Sequence, residues 1–149
     1  MSNRHEGMIV FVVDDEHIIA STLAMILNSN GFDARSFTDP LKALRAAHFG
    51  TPDVLVSDVA MPFLSGVELA AKIKAFCPDC KVLLFSGEVG HLNLLVHDSA
   101  GDRGFEILQK PVHPVALRQR IQELLDSPSV PASWPARGET TSRRAYKKL

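Results

Sequence analysis

No apolar run in the 149 residues approaches the ~18 that a bilayer span requires. The opening Met1-Ser2-Asn3-Arg4-His5-Glu6-Gly7 leads straight into a strand-like run, with no separate apolar segment ending in a cleavage site. Neither a membrane span nor a secretory leader is expected, and the cytoplasm is the expected compartment. Net charge is nearly absent: 16 Lys and Arg against 17 Asp and Glu leave −1, so the global charge selects no partner. Cysteine is scarce. Its two copies form Cys77-Pro78-Asp79-Cys80. A reactive pair of that spacing belongs at a helix N-terminus, which stabilises the thiolate. Here it follows the helical run 66–76 and precedes a strand, so both thiols read as residues of a turn. A zinc site would need two more ligands, and no histidine falls at matching spacing.

What remains is the composition of a globular domain, 46% hydrophobic and 22% charged. Four runs rich in β-branched and apolar residues stand out: Met8–Val13, Asp53–Ser57, Lys81–Phe85 and Phe105–Gln109. A fifth, Asp33–Phe37, is short and mostly polar, as an edge strand would be. Helical spacing follows each run. Ile18, Leu23, Ile26 and Leu27 recur before a stop at Gly31; Leu41, Leu44 and Ala47 follow Thr38-Asp39-Pro40, with Pro40 suited to a first turn. Val67, Leu69, Ala70 and Ile73 follow Gly66, and Val115, Leu117, Ile121 and Leu124 follow Pro114. A helix is also expected over 88–98, although Gly90 weakens it. Five strands alternating with five helices predict an α/β fold, a doubly wound five-stranded parallel sheet over residues 8–126. From 127 to 149 the character changes. Pro128, Pro131 and Pro135 punctuate a polar stretch with a balance of +4, against −5 for residues 1–126. This segment is expected to be a flexible basic tail rather than a second domain.

Each of the four apolar runs ends at a polar residue that carries chemistry. Asp14 and Asp15 follow the first, Asp58 the third strand, Ser86 the fourth, and Lys110-Pro111 the fifth. In a parallel sheet these positions share the carboxyl edge, where open α/β sheets place their sites. Singly, each reads as a turn or cap residue; their joint occurrence at four strand ends does not. A carboxylate such as Asp58 can attack phosphorus and form an acyl phosphate. Mg²⁺ takes oxygen ligands and needs only one or two carboxylates beside a phosphate, which Asp14 and Asp15 can supply. Lys110 and the Ser86 hydroxyl can meet phosphoryl oxygens, and Gly87 is read as allowing close backbone approach.

Val13-Asp14-Asp15-Glu16, then Asp58-Val59-Ala60-Met61-Pro62 with Gly66, then Ser86-Gly87, then Lys110-Pro111 resemble the receiver domain of bacterial two-component response regulators. The resemblance implies a flavodoxin-like strand order 2-1-3-4-5 and a cis Lys110-Pro111 bond. It implies that Asp58 accepts a phosphoryl group from a sensor histidine kinase or a histidine phosphotransfer protein. Mg²⁺ would be held by Asp14, Asp15, Asp58 and the backbone carbonyl of Ala60, with Ser86 and Lys110 on the phosphate. Signalling would pass to a downstream protein, or onward in a relay, through the face made by the helix at 88–98, the fifth strand and the last helix, where a homodimer would also form. The expected protein is a stand-alone receiver. It is not an enzyme on a separate substrate, and its own phosphotransfer and dephosphorylation are the only reactions implied.

The chain departs from the family where an aromatic switch residue usually stands three positions before the lysine. That residue is Ile107, with Phe105 two positions earlier on the same strand face. Ala60 and Glu88 occupy positions at which the family varies. Two other functions fit less well. A Mg²⁺-dependent phosphohydrolase usually carries a second Asp two residues after its nucleophile, and here that residue is Ala60. A nucleic-acid binder would have to work through the basic tail, which contains no reading element. His17, His91, His97 and His113 show no ligand spacing and are read as surface or cap residues, and Met61 as loop packing.

Overall fold

A computed structural model of the chain describes residues 4–87 and 105–126. Five parallel strands, β1 (Ile9–Val13), β2 (Asp33–Phe37), β3 (Val54–Asp58), β4 (Lys81–Ser86) and β5 (Phe105–Gln109), form one sheet in the order β2-β1-β3-β4-β5. The described helices are α1 (His17–Ser29), α2 (Pro40–Phe49), α3 (Gly66–Phe76) and α4 (Pro114–Asp126). The helix expected over 88–98 and the tail from 127 lie outside the described residues, as do Glu88, His91 and His97. Among the described residues no helix is long and apolar enough to cross a membrane.

The continuous apolar strands are explained by helices on both faces. Val10, Val12, Val54, Val56, Leu83 and Phe85 point to one side, against α1 and α4. Phe11, Val13, Leu55, Val82, Leu84 and Phe105 point to the other, against α2 and α3. Polar β2 lies at the sheet edge, as its composition predicts, and its Asp33 and Arg35 pair at 3.0 Å in solvent. Local chemistry sets the helix starts. The Asp39 side chain accepts from Leu41 N–H at 2.9 Å ahead of Pro40. Ser65 and Glu68 form a reciprocal capping box at α3.

Three aliphatic residues expected to face the core do not. Ile18, Leu41 and Val115 are 76%, 47% and 47% exposed. Each stands two residues before the first non-proline buried position of its helix (Ala20, Ala43 and Leu117) and so lies about 200° around the axis from it. The buried stripes of α1 and α2 are built largely on alanines. Side-chain size in the sequence pointed to the aliphatics, whereas phase selects the alanines. The turn placement of the cysteines holds: Cys77 caps α3, and its carbonyl accepts from Cys80 N–H at 3.1 Å. Both are free thiols, and burial pushes the Cys80 thiol up to about 12, far from the thiolate that redox chemistry needs.

Gly66 is the glycine on which the sheet edge depends. A Cβ there would lie 2.2 Å from the Asp58 carbonyl oxygen, while its N–H donates to the Val59 carbonyl at 2.9 Å. At Gly87 a built Cβ meets no atom within 4 Å among the described residues, its chain neighbours aside, so the backbone there is open on that side. We expect Gly66→Ala to cost on the order of 3 kcal/mol in denaturant unfolding, because the contact is backbone and cannot swing away. Gly50→Ala, in extended backbone with open space around it, should be neutral or slightly stabilising. Equal stability of wild type and Gly66→Ala would refute the assignment.

Candidate functional site

The sheet's carboxyl edge brings the acidic residues together. β1 and β3 pair in register through Val13 and Ser57, so the next residues, Asp14 and Asp58, stand side by side. Carboxylate oxygens of Asp14, Asp15 and Asp58 all lie within 4.8 Å of one another. Asp14 and Asp58 are buried and Asp15 is exposed. Lys110 follows β5 through a bend, and its peptide bond to Pro111 is cis, as the resemblance implied. Its Nζ lies 3.2 Å from Asp58 Oδ2 and 3.4 Å from Asp14 Oδ2, and 5.2 Å from the centre of the Phe85 ring. Ser86 ends β4 between these elements, and its carbonyl accepts from Lys110 N–H at 2.9 Å, fixing the start of the lysine's turn.

Three carboxylates around one ammonium leave uncompensated negative charge. Burial raises the pKa of Asp14 despite the bond it accepts from Glu16 N–H at 2.9 Å, and the neighbouring Asp58 raises it further. Burial likewise raises Asp58, against the opposing pull of Lys110 and of a bond from the Ala60 backbone N–H. For Lys110, burial works against the charge, but Asp58 and Asp14 outweigh it and hold the pKa above its usual value. Asp14 Oδ2 is buried and accepts no well-formed hydrogen bond among the described residues, its cationic neighbour being the Lys110 ammonium at 3.4 Å. A buried oxygen of this kind, facing two further carboxylates, fits a hard divalent cation. Exposed Ala60 lies two residues beyond Asp58 and puts no bulk at its own position on the mouth.

Other sequence readings resolve simply. His17 is exposed at the start of α1; His113 is exposed, and its Nδ1 accepts from Val115 N–H at 3.2 Å, a local cap. Met61 packs against the core from the loop after β3. Ile107 is half-buried on the same sheet face as buried Phe105. Two features escaped the sequence. His5 is buried, with Nε2 3.0 Å from Asp126 Oδ1. Phe63 is almost fully exposed in the loop after Asp58. No periodicity marks either one.

The raised carboxyl pKa values fix a pH dependence for the metal-free protein. A group whose pKa is higher folded than unfolded favours the folded state below its unfolded value, and that contribution is lost as pH rises through the folded value. With a chelator present, stability should therefore fall from about pH 4 toward neutrality. Asp14→Asn should melt a few degrees above wild type at pH 7, as relief of ~1 kcal/mol would give. The gap should close on acidification. A lower melting temperature for the variant at pH 7 would contradict the charge balance described.

The family model "Response regulator receiver domain" matches residues 10–122. NtrC of Azospirillum brasilense, a DNA-binding transcriptional regulator, is 30% identical over 128 residues, covering 85% of this chain and 26% of that protein. The Escherichia coli transcriptional regulatory protein CreB is 32% identical over 116 residues, 78% of this chain and 50% of its own length. The chain thus spans between a quarter and a half of these relatives. Among solved structures, the receiver domain of Francisella response regulator 1452 superposes with a TM-score of 0.70 at 26% identity, covering 80% of this chain and 97% of that one. With the strand order, the acidic cluster and the lysine at the same sheet edge, this chain belongs to the response regulator receiver domain family, whose members take part in phosphorylation-dependent signalling.

Proposed function

We propose that this receiver accepts a phosphoryl group on Asp58 from a phosphohistidine on a sensor histidine kinase or phosphotransfer protein. The observation that carries the reading is the position of Asp58. It is a buried carboxylate with an oxygen 3.2 Å from Lys110 Nζ, beside two further carboxylates. Asp58 is the nucleophile. Burial raises its pKa and so disfavours the charged form, and a bound cation would favour that form beside Lys110. Asp14, Asp15 and Asp58, with the Ala60 carbonyl, would hold Mg²⁺, which when bound neutralises carboxylate and phosphoryl charge. Lys110 loses part of its hold on Asp58 as the carboxylate becomes an acyl phosphate, and its ammonium is then placed to pair with a phosphoryl oxygen. Ser86, at the end of β4, offers a hydroxyl to a second oxygen. Burial of Asp58 limits access of bulk water to the acyl phosphate.

An open cleft of about 270 Å³ adjoins Lys110 between the starts of α1 and α4, lined mainly by Ile18, Ile19, Leu23, Phe85 and Pro111. It supports a protein as the phosphodonor. The output we assign is altered protein binding or onward relay. In this chain the phosphorylation response and any self-association would involve β5 and α4, together with residues 88–98. Ile107 has no ring to reorient, so the shift at its own position is small, because a ligand moves an equilibrium only by its differential free energy between states. Asp58 chemistry of this kind belongs in the cytoplasm.

Acetyl phosphate with Mg²⁺ should add a single phosphoryl group by mass, and Asp58→Asn should gain none. Mg²⁺ should also raise the melting temperature, since it binds only the folded cluster, and Asp15→Ala should lose most of that rise. Labelling of Asp58→Asn equal to wild type would remove Asp58 from the role. An undiminished metal shift in Asp15→Ala would move the cation elsewhere.

A further inference from the structure

The loop joining β3 to α3 is pinned at both ends. Gly66 N–H donates to the Val59 carbonyl, and Gly66 lies so close to the Asp58 carbonyl that no side chain fits. Inside the loop, Met61 and Leu64 pack into the core, and the capping box of Ser65 and Glu68 holds its exit. The residue at the tip is Phe63. Leu64 N–H donates to the Pro62 carbonyl at 2.8 Å, closing a three-residue turn in which Phe63 has φ +74°. Among the described residues it alone, apart from glycines, takes a positive φ. That turn is rare and strained for a residue with a side chain, and glycine or asparagine would sit in it more easily. The ring is 88% exposed, so it gains nothing from packing either. Backbone strain and a stranded aromatic both disfavour phenylalanine in the isolated protein. A rigid aromatic held out on an otherwise anchored loop is the form that binding anchors take.

We propose that Phe63 is a specificity-determining residue of phosphotransfer, forming an apolar contact with the protein that carries the phosphohistidine. This rests on the function proposed above. Asp58 is only 6% exposed, so a donor histidine must enter the mouth from a protein surface seated on the rim. A donor helix about 10 Å across covers more than the mouth, and the Phe63 loop leaves the sheet directly after Asp58. The exposed aliphatic Ile18 flanks the same edge just after Asp14, Asp15 and Glu16. A second copy of this chain fits worse. It would bring exposed Asp15 and Glu16 against their own like charges.

Two kinds of phosphodonor separate the contact from the chemistry. Phosphoramidate with Mg²⁺ has no protein surface. Histidine kinases of the source organism, loaded with labelled ATP, do. Wild type, Phe63→Gly, Phe63→Asn and Phe63→Tyr should take phosphate from phosphoramidate at equal rates. From the kinase that serves wild type, transfer at limiting receiver concentration should fall at least tenfold for Phe63→Gly and Phe63→Asn. Phe63→Tyr should retain it. Glycine and asparagine suit the turn, so both variants fold, and thermal melts confirm it. Equal kinase transfer to wild type and Phe63→Gly would overturn the role of Phe63 alone. A matching loss with phosphoramidate would overturn it too, by placing the ring in the pocket chemistry. A wild-type dimer that Phe63→Gly dissolves without slowing transfer would assign the ring to a second copy instead. Phosphoramidate labelling with no transfer to wild type from any kinase would remove the protein donor, and this proposal with it.

Discussion

The crowding of three carboxylates at one sheet edge, with a single ammonium to balance them, is the constraint from which the other features follow. Like charges within 4.8 Å repel, and burial of two of them raises the cost. The register of β1 on β3 enforces that proximity, and the bend after β5 delivers Lys110 to the two buried members. The metal-free protein therefore holds unfavourable electrostatic energy at the place where it is to react. A cation and a phosphoryl group relieve it, so binding and chemistry draw on strain already built into the fold.

The same edge explains why the surrounding elements are so tightly specified. Gly66 lets α3 begin against the Asp58 carbonyl, and the capping box fixes where that helix starts. The Ser86 carbonyl anchors Lys110 N–H. None of these contacts touches the reacting carboxylate oxygens. Each restricts the direction in which Asp58 or Lys110 can point, and a misplacement of an ångström there would weaken every electrostatic contact in the pocket.

Strand identity was legible because the apolar runs are continuous and bounded by polar residues, and the edge residues stood out because each closes such a run. Helix phase was harder to read. Alanines at positions 20, 24, 43 and 47 carry much of the buried stripe, and hydropathy gives them less weight than Ile18 or Leu41. The need for glycine at position 66 was not legible, because its approach to the Asp58 carbonyl exists only in three dimensions. The pairing of His5 with Asp126 joins positions 121 residues apart. No local pattern encodes such a contact. Phe63 was silent for another reason: a positive φ depends on how the loop is pinned, and the pins are Gly66 and Leu64.

The pairing of His5 with Asp126, with Arg4 3.5 Å from the same carboxylate, has a geometric consequence. It ties the chain's entry into the domain to the end of its last helix, at the edge opposite the acidic pocket. A five-residue strand spans about 17 Å, so His5 and Asp126, near the two ends of the described domain, meet about that far from the reacting carboxylate. Entry and exit side by side let such a unit be spliced into larger proteins, or cut and rejoined elsewhere, without disturbing its centre. In NtrC and CreB the matched region is a fraction of the whole, and a fold whose ends are clasped together, away from its chemistry, is suited to that modular use.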